Sequence, residues 1–398
     1  MSATSAPSIV PCRYKTGRTL GQGTYAVVKD TLRPLTYTNM PPAIFQTFHL
    51  YIVQIVEAVH IETGKKYAVK VINKKLMEGK EHMIRNEIAV LRRISIGHAN
   101  ILTLVDYFET LNNLYLVTEL AEGGELFDRI CRKGNYYEHD AAHLVWTICS
   151  AVAYLHEQGI VHRGNLLGDD WLGLAPENLL FKTAAEDSEL LIADFGLSRI
   201  IDQEKFHLLT TTCGTPGYMA PEIFQKSGHG KPVDMWALGV ITYFLLCGYT
   251  PFDRQNSMDE MQAILHAEYQ FAPIEYWQGV SETAQSFITG LLTVDPSRRM
   301  TAAQALKHPW LAQAALRQQE AEQQQQQPHD DMEVETPHDL LPSMMSRMKA
   351  RTKLRNAIGA VKAMNTMRKR PEDLGLAEAH PEDVSSVQVL HQGDVDMV

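Results

Sequence analysis

The sequence predicts an α+β fold in which a smaller, strand-rich part precedes a larger helical part. Residues 14–29 and 57–72 alternate apolar and polar side chains, which is typical of β-strands. Between Glu78 and Arg93 the apolar residues recur at helical spacing, and from about Glu125 onward most periodic stretches are helical too. The length of 398 residues suggests two or three structural units.

The composition is that of a globular protein with a negative net charge. Hydrophobic residues make up 45% of the chain and the formal net charge is −10, so we expect no general nucleic-acid partner. The five cysteines form no CxxC pair, which favours reduced thiols. The sequence shows neither a charged and apolar leader nor a run of about 18 apolar residues. We therefore expect no membrane partner and a cytoplasmic protein that could also enter the nucleus.

Changes in composition divide the chain into segments. We predict an N-terminal tail at 1–13, a folded domain at 14–310 and a polar linker at 311–338 that contains a five-Gln run. Residues 339–370 are basic and periodic, with nine Lys or Arg against one acidic residue. Residues 371–398 hold seven acidic residues and no Lys or Arg, so we expect a disordered tail.

Two glycines near the start of the first strand predict a backbone turn over phosphates. Leu20 is followed by Gly21 and Gly23, and glycine lets a backbone approach a phosphate and present N–H groups to it. Val28 ends this stretch, and Ala26 stands where a third glycine would complete the pattern. A plain β-turn is the alternative for these residues taken alone.

Three charged residues further along the chain fit a nucleotide site. Lys70 follows three strand residues that should be half-buried, so it needs a partner, and Glu87 on the predicted helix is the candidate. Asp194 follows the apolar strand at 190–193, where a carboxylate can hold Mg²⁺ against phosphate oxygens. The alternatives are solvated surface charges and a simple turn at the end of a strand.

Further motifs make the pattern specific to one family. They are Gly123–Asp128, Cys213–Glu222, Asp234–Gly239 and His308–Trp310. With the glycine stretch, Lys70 and Asp194, they resemble a calcium/calmodulin-dependent protein kinase of the type I-like group, most similar to fungal members. The resemblance implies a two-lobed protein kinase fold. A small antiparallel β-sheet lobe (14–118) would carry one main helix, and a hinge (119–121), a larger helical lobe (122–310) and a C-terminal regulatory helix would follow.

The resemblance implies that the cleft between the lobes binds ATP with Mg²⁺ and transfers the γ-phosphate to Ser or Thr of protein substrates. Thr118 would be the gatekeeper, and Asn178 would hold Mg²⁺ together with Asp194. Glu222 and Arg299 match a buried ion pair that braces the large lobe. The positions that the resemblance implies for ATP are Leu20, Gly21, Gly23, Val28, Ala68, Lys70, Thr118, Glu119, Ala121, Glu125 and Leu180.

The catalytic loop departs from the family pattern. His162 and Arg163 match, but Gly164 stands where the family has the aspartate that orients or deprotonates the substrate hydroxyl. Ala175 stands where the family has a lysine near the γ-phosphate, just before the matching Pro176. Glycine cannot act as a base, and general acid–base catalysis is worth roughly 10²–10⁴ in rate.

Two stretches, 30–56 and 164–175, have no counterpart in the family pattern, and we expect both to bulge from the lobes. Asp169 and Asp170 lie at the wrong spacing from Asn178 to replace the missing base, and we interpret them as exposed loop carboxylates. Two explanations are open. The stretches can be unspliced intron or faulty gene-model translation, or the chain can be an isoform that only binds nucleotide and calmodulin as a scaffold. Sequencing the mature transcript decides between them.

The resemblance also implies two regulatory elements. Thr211 matches the activating threonine that an upstream kinase would phosphorylate, and Arg163 would pair with the phosphate. Within 339–370, large apolar residues lie on one side of a basic predicted helix; they are Leu354, Ile358, Val361 and Met367. Such a helix suits the groove of Ca²⁺-calmodulin, with a membrane-surface helix or a core-packing extension as alternatives. Without calmodulin, residues from about Asp339 would lie across the cleft as a pseudosubstrate.

Overall fold

The computed structural model describes residues 10–31, 45–74, 81–133, 135–161, 166–167, 170–171, 178–193, 216–225, 230–254, 256–313, 338–342, 344–345, 388–389 and 391–392.

The small lobe is an antiparallel sheet with one helix. Its elements are β1 (Val10–Pro11), β2 (Tyr14–Thr31), β3 (Phe45–His60), β4 (Lys66–Asn73), α1 (Glu81–Ser95), β5 (Leu104–Glu109) and β6 (Asn113–Glu119). The main sheet has the order β5-β6-β4-β3-β2, and a C-terminal strand is added at the β5 edge. Val69 and Val71 of β4 pack in one cluster with Phe108 and Tyr115, while the intervening Lys70 and the following Ile72 are buried too. Because successive side chains of a strand point to opposite faces, both faces of β4 are covered from Val69 to Ile72.

The large lobe is mainly helical. Its helices are α2 (Leu126–Arg132), α3 (Glu138–Glu157), α4 (Pro221–Gln225), α5 (Pro232–Cys247), α6 (Ser257–His266), α7 (Glu282–Leu291) and α8 (Ala302–Ala305). The short strands β7 (Gly124–Glu125), β10 (Leu179–Phe181) and β11 (Leu190–Ile192) form a sheet in the order β11-β10-β7. The predicted α+β fold, with a strand-rich part before a helical part, is confirmed.

Helix α5 lies at the centre of the large lobe. Pro232 occupies its first turn, where a missing N–H costs nothing, and Gly248 ends it with φ of 82°. A side chain at Gly239 would come within 2.9 Å of Leu291 Cβ, so glycine lets α5 and α7 pack closely. All of α5 from Val233 to Cys247 is buried, which explains why its sequence is apolar on every side.

The expectation that residues 30–56 bulge from the lobe is wrong for residues 54–56, which pair with β4, whereas 45–53 pair with β2 beyond the last β3–β4 pair, Gln54 with Val71. Residues 45–56 form most of β3 and pair with β2, from Phe45 opposite Thr31 to Ile55 opposite Gly21. This segment is rich in β-branched and aromatic residues, which favour strands, and pairing satisfies its backbone polar groups. The predicted turn at Gly21 and Gly23 is wrong for the same reason, because both glycines lie inside the continuous strand β2.

The second foreign stretch, 164–175, contains a small hairpin. Strands β8 (Leu166–Leu167) and β9 (Asp170–Trp171) pair with each other in a two-stranded sheet of their own. Asp169 lies outside the described residues. The described part of this stretch therefore adds no strand to either lobe's sheet.

The prediction of a disordered tail at 371–398 is wrong for two short stretches. Strand β12 (Gln388–Val389) pairs with β1, and β13 (His391–Gln392) pairs with Phe108 and Glu109 of β5. An edge strand presents unpaired N–H and C=O groups to any extended segment that can reach it. Each of these strands is only two residues long, so the composition of the tail did not predict them.

The described start of the 339–370 segment lies on the large lobe. Leu340 N donates to Tyr136 O at 2.8 Å, and Asp339 Oδ1 accepts from Tyr136 N at 3.0 Å. Leu340, Leu341 and Met344 are buried in the main core. These residues contact the large lobe at Tyr136, before α3, and at Gly248, after α5, so the expectation that the segment crosses the cleft from Asp339 onward is wrong for them. Among the described helices, none has the length and apolar character to cross a membrane.

Candidate active site

Lys70 is a buried lysine at the centre of the small-lobe sheet. It lies in β4 opposite Leu116 of β6 and Ile55 of β3. Ala68, two residues earlier on β4, lies opposite Thr118 of β6, whose Oγ1 donates to Ala68 O at 3.4 Å. The structure therefore brings Lys70, Ala68 and Thr118 together, as the sequence predicts, and strand pairing on both sides holds them in place.

Val28 does not lie beside them. It pairs with Phe48, whereas Ile55, on the same strand as Phe48, pairs with both Gly21 and Lys70. The seven-residue offset from Phe48 to Ile55 corresponds to about 23 Å along an extended strand. The prediction that Val28 covers the adenine beside Ala68 is therefore wrong, because residues 54–56 of the stretch 30–56 have taken the place of residues 27–29 as partners of β4. Ile55 occupies the register position that Val28 would have without that stretch.

The glycine stretch is only partly displaced. Gly21 lies opposite Ile55 and Gly23 opposite Val53, so both remain near the register of Lys70, two strands away. Leu20 precedes Gly21 at an irregularity in the pairing and is exposed. The backbone groups of Gly21 and Gly23 belong to a β2–β3 ladder, so a phosphate-cradling loop would require this part of the hairpin to change its pairing.

Main-chain hydrogen bonds tie the predicted hinge to both lobes. Glu119 ends β6, and its N–H donates to Thr103 O at 3.1 Å while its Oε1 accepts from Thr103 N at 2.8 Å. Beyond the hinge, Glu122 N donates to Lys182 O at 2.9 Å and Gly123 N to Phe181 O at 2.8 Å. The side chain at Glu119 is thus used to hold the hinge, which leaves the backbone of 119–121 as the candidate partner of adenine.

A small apolar cluster lies on the large-lobe side of the hinge. Leu102, Leu191 and Ala193 are buried together, with Ala121 and Leu180 packed against them. Leu180 of β10 pairs with Leu191 of β11 on one side and Glu125 of β7 on the other. The structure therefore brings Ala121 and Leu180 to the same cluster and Glu125 next to Leu180, while their contact with the base and ribose of ATP stays a prediction.

Asn178 lies at the end of the β10–β11 hairpin. Its backbone O accepts from Ala193 N at 2.8 Å, so Asn178 is opposite the residue that immediately precedes Asp194. Its side chain is buried. Within the described part of the chain, no three His, Cys, Asp or Glu side chains cluster as metal ligands. The predicted Mg²⁺ site is of another kind, because one of its two ligands is the amide side chain of Asn178. The other ligand, Asp194, lies outside the described residues.

Several predicted site residues lie outside the described residues. Glu87 is in α1, but its side chain is among those that the structure does not describe. The others are His162, Arg163, Gly164, Asp194, Thr211, Leu354, Ile358, Val361 and Met367.

The predicted ion pair between Glu222 and Arg299 is confirmed. Arg299 Nη1 donates to Glu222 Oε1 at 2.6 Å and Nη2 to Oε2 at 2.9 Å, and both side chains are buried. Arg299 also donates to backbone oxygens of Pro232, Thr293 and Val294. The pair joins α4 to the start of α5 and to the loop after α7.

Sequence reasoning missed a second buried pair, at the C-terminal end of α3. His156 Nε2 and Asp234 Oδ2 are 2.8 Å apart, and both side chains are buried. Asp234 appears in the sequence only as the first residue of a motif, and His156 lies in the last turn of α3 with no distinctive pattern around it. The pair ties α5 to the last turn of α3, five residues before the chain reaches Val161 and the predicted catalytic loop.

Comparisons with known proteins agree with this geometry. The protein kinase domain family model matches residues 52–311. The calcium/calmodulin-dependent protein kinase cmkB of Emericella nidulans is 54% identical over 389 residues, covering 96% of this chain and 84% of that protein. The calcium/calmodulin-dependent protein kinase type I of Schizosaccharomyces pombe is 49% identical over 361 residues, covering 91% of each. The human type 1B enzyme is 50% identical over 245 residues, covering 62% of this chain and 67% of that protein. The family match begins inside β3, after the glycine stretch.

Proposed function

The chain belongs to the calcium/calmodulin-dependent protein kinases, a family of Ser/Thr protein kinases, and from that premise we propose which of its residues carry the reaction and its control. The observation that carries the proposal is the strand register. It places the buried Lys70 beside Ala68 and Thr118, next to a hinge whose far side carries Leu180. ATP would lie in this cleft and donate its γ-phosphate to a Ser or Thr of a protein substrate.

Lys70 would contact the α- and β-phosphates, with Glu87 of α1 holding it in place. The adenine ring would lie between Ala68 of β4 and Leu180 of β10, with the backbone of 119–121 bonding its edge. In support, Thr118 donates to Ala68 O, and Glu119 fastens the hinge strand to Thr103. Burial makes a lysine costly unless an anion is close, and phosphate oxygens supply such anions.

Protein kinases use ATP together with Mg²⁺. The residues at the end of the β10–β11 hairpin fit that ion, since an amide oxygen from Asn178 and a carboxylate from Asp194 are hard oxygen ligands. When bound, Mg²⁺ neutralises phosphate charge during transfer. We propose that the backbone bond between Asn178 and Ala193 sets the spacing of these two ligands.

We propose that this chain is a slow kinase because of its catalytic loop. Gly164 provides no base for the substrate hydroxyl, and Ala175 provides no cation beside the γ-phosphate. Phosphoryl transfer depends mainly on positioning and charge stabilisation, so the remaining residues can still support the reaction. The scaffold alternative, without phosphotransfer, is not favoured by the relatives, because each is named a protein kinase.

Calmodulin is the proposed regulatory partner, since the names of the relatives include it. Ca²⁺-calmodulin would bind the basic helix around Leu354, Ile358, Val361 and Met367. The buried Leu340, Leu341 and Met344 would keep the start of the segment on the large lobe, so that calmodulin removes only the residues beyond this anchor. An upstream kinase acting on Thr211 would complete activation.

The test is phosphotransfer by the purified full chain. Transfer of the γ-phosphate to a Ser/Thr peptide, measured with labelled ATP, should require Ca²⁺-calmodulin and should disappear in Lys70→Met. Calmodulin that binds without raising transfer would contradict the regulatory proposal. Nucleotide binding without any transfer would point to the scaffold instead.

A further inference from the structure

One carboxylate in the small lobe forms ion pairs with two basic side chains from different parts of the chain. Glu109, the last residue of β5, accepts from Arg85 Nε at 2.6 Å through Oε1 and from Arg85 Nη2 at 2.9 Å through Oε2. Lys74 Nζ lies 2.7 Å from the same Oε2. Glu109 is buried, at 3% exposure, whereas the side chains of Lys74 and Arg85 are 19% and 44% exposed.

The charge state of this carboxylate is well defined. Burial alone would raise the pKa of Glu109, but hydrogen bonds from Arg85 and Lys74 outweigh burial and lower the pKa to about 2. The group is therefore ionised at neutral pH. Separating it from Arg85 and Lys74 would leave a buried charge without a partner.

The three residues belong to the elements that carry the predicted ATP-binding pair. Lys74 directly follows β4, four residues after Lys70. Arg85 lies in α1 two residues before Glu87, a separation of about 3 Å along a helix axis. Because a helix is stiff over this length, fixing Arg85 fixes the position of Glu87 along α1.

Apolar packing alone would not fix that position. Ile88, Leu91 and Ile94 of α1 are buried in the main core with Leu104 of β5. Hydrophobic contacts are non-directional, whereas a bidentate Arg–carboxylate pair restricts both distance and angle. The apolar face holds α1 against the sheet, and the ion pair sets where along the sheet it lies.

We propose that Glu109 is a positioning residue for the kinase reaction. By holding Arg85 and Lys74 together it sets the placement of α1 relative to β4, and so the spacing of Glu87 and Lys70. The proposal rests on the roles given above to Lys70 and Glu87. No signal in the sequence predicts this cluster, since Glu109 and Arg85 each look like surface charges.

The test compares Glu109→Gln with the full-length wild-type chain. Spin labels at the exposed positions Val90 of α1 and Ile61 of the β3–β4 turn report the placement of the helix. We expect a broader distance distribution in Glu109→Gln and a loss of about tenfold in kcat, with a smaller change in the KM for ATP. Arg85→Lys keeps the charge but loses the bidentate contact, so its distance distribution and its kcat should lie between those of the wild type and Glu109→Gln. This variant also tests the proposal if Glu109→Gln folds poorly.

Glu189→Gln is the matched control. It removes a carboxylate from the exposed pair that Lys182 and Glu189 form at 2.7 Å in the large lobe, and it should leave the label distance unchanged. A distance distribution in Glu109→Gln and Arg85→Lys as narrow as in the wild type would overturn the proposal, even if thermal stability falls. A broadened distribution together with a wild-type chain that transfers no phosphate would show that Glu109 places α1 but would reject the proposed function, so the two failures are distinguishable.

Discussion

Removing Arg299 should be among the most destabilising single changes in the large lobe. Its guanidinium is fully buried and donates to both oxygens of Glu222 and to three backbone oxygens. Arg299→Met would leave the buried carboxylate of Glu222 without its cation. Breaking a buried pair in this way costs about 3–5 kcal/mol.

The double variant shows how much of that cost comes from the orphaned charge. Replacing a whole buried pair by apolar residues of similar volume is often close to neutral. Glu222→Leu with Arg299→Met should therefore be more stable than Arg299→Met alone, although the backbone oxygens of Pro232, Thr293 and Val294 stay without their donor. That remaining loss keeps the double variant below the wild type.

Unfolding in urea, followed by circular dichroism, measures these differences. The control is Glu189→Gln, because the Lys182–Glu189 pair has a similarly short distance of 2.7 Å but side chains 44% and 49% exposed. Exposed pairs contribute about 0–1 kcal/mol. Should Arg299→Met cost no more than Glu189→Gln, burial would not be what gives the Glu222–Arg299 pair its strength.

Three further predictions concern the nucleotide site, the tail and pH. Ile55→Ala should weaken the binding of a fluorescent ATP analogue several-fold, whereas Val28→Ala should not; the reverse order would mean that β2 and β3 pair in another register when nucleotide binds. Met344→Asp should place a charge in the core, release the start of the tail segment and raise calmodulin-independent transfer, and unchanged basal transfer would contradict that anchor. Because the folded pKa of Glu109 is lowered to about 2, its contribution to stability is present above the unfolded value of 4.5 and is lost as pH falls toward 2. The stability difference between wild type and Glu109→Gln should therefore shrink over that range, and a constant difference would show that the charge contributes nothing.

Local patterns predicted the elements that depend on nearby residues. Helical spacing over 78–93 predicted α1, observed at Glu81–Ser95, and strand alternation predicted β4. The Glu222–Arg299 pair was predicted from motif positions 77 residues apart, because both side chains stand in blocks that match a known family.

Long-range pairing was not predictable in the same way. The partner of a strand depends on which segments can reach it, and nothing within 45–56 indicates that residues 54–56 replace 27–29 beside β4. The two short tail strands at 388–392 also depend on an open sheet edge elsewhere in the chain. The three-residue cluster at Glu109 escaped notice for a similar reason, since its members are far apart in sequence and each is ordinary alone.

The catalytic loop offers the most direct test of the account. Under the proposed function, the chain keeps the ATP site of a protein kinase but lacks the loop base. Replacing residues 164–175 by Asp-Leu-Lys would restore the family spacing between His162-Arg163 and Pro176. Single-turnover transfer of the γ-phosphate, with Ca²⁺-calmodulin present, should rise by roughly 10²–10⁴ over the unaltered chain, the usual worth of general acid–base catalysis. Equal rates for the two chains, or no transfer by either, would contradict the claim.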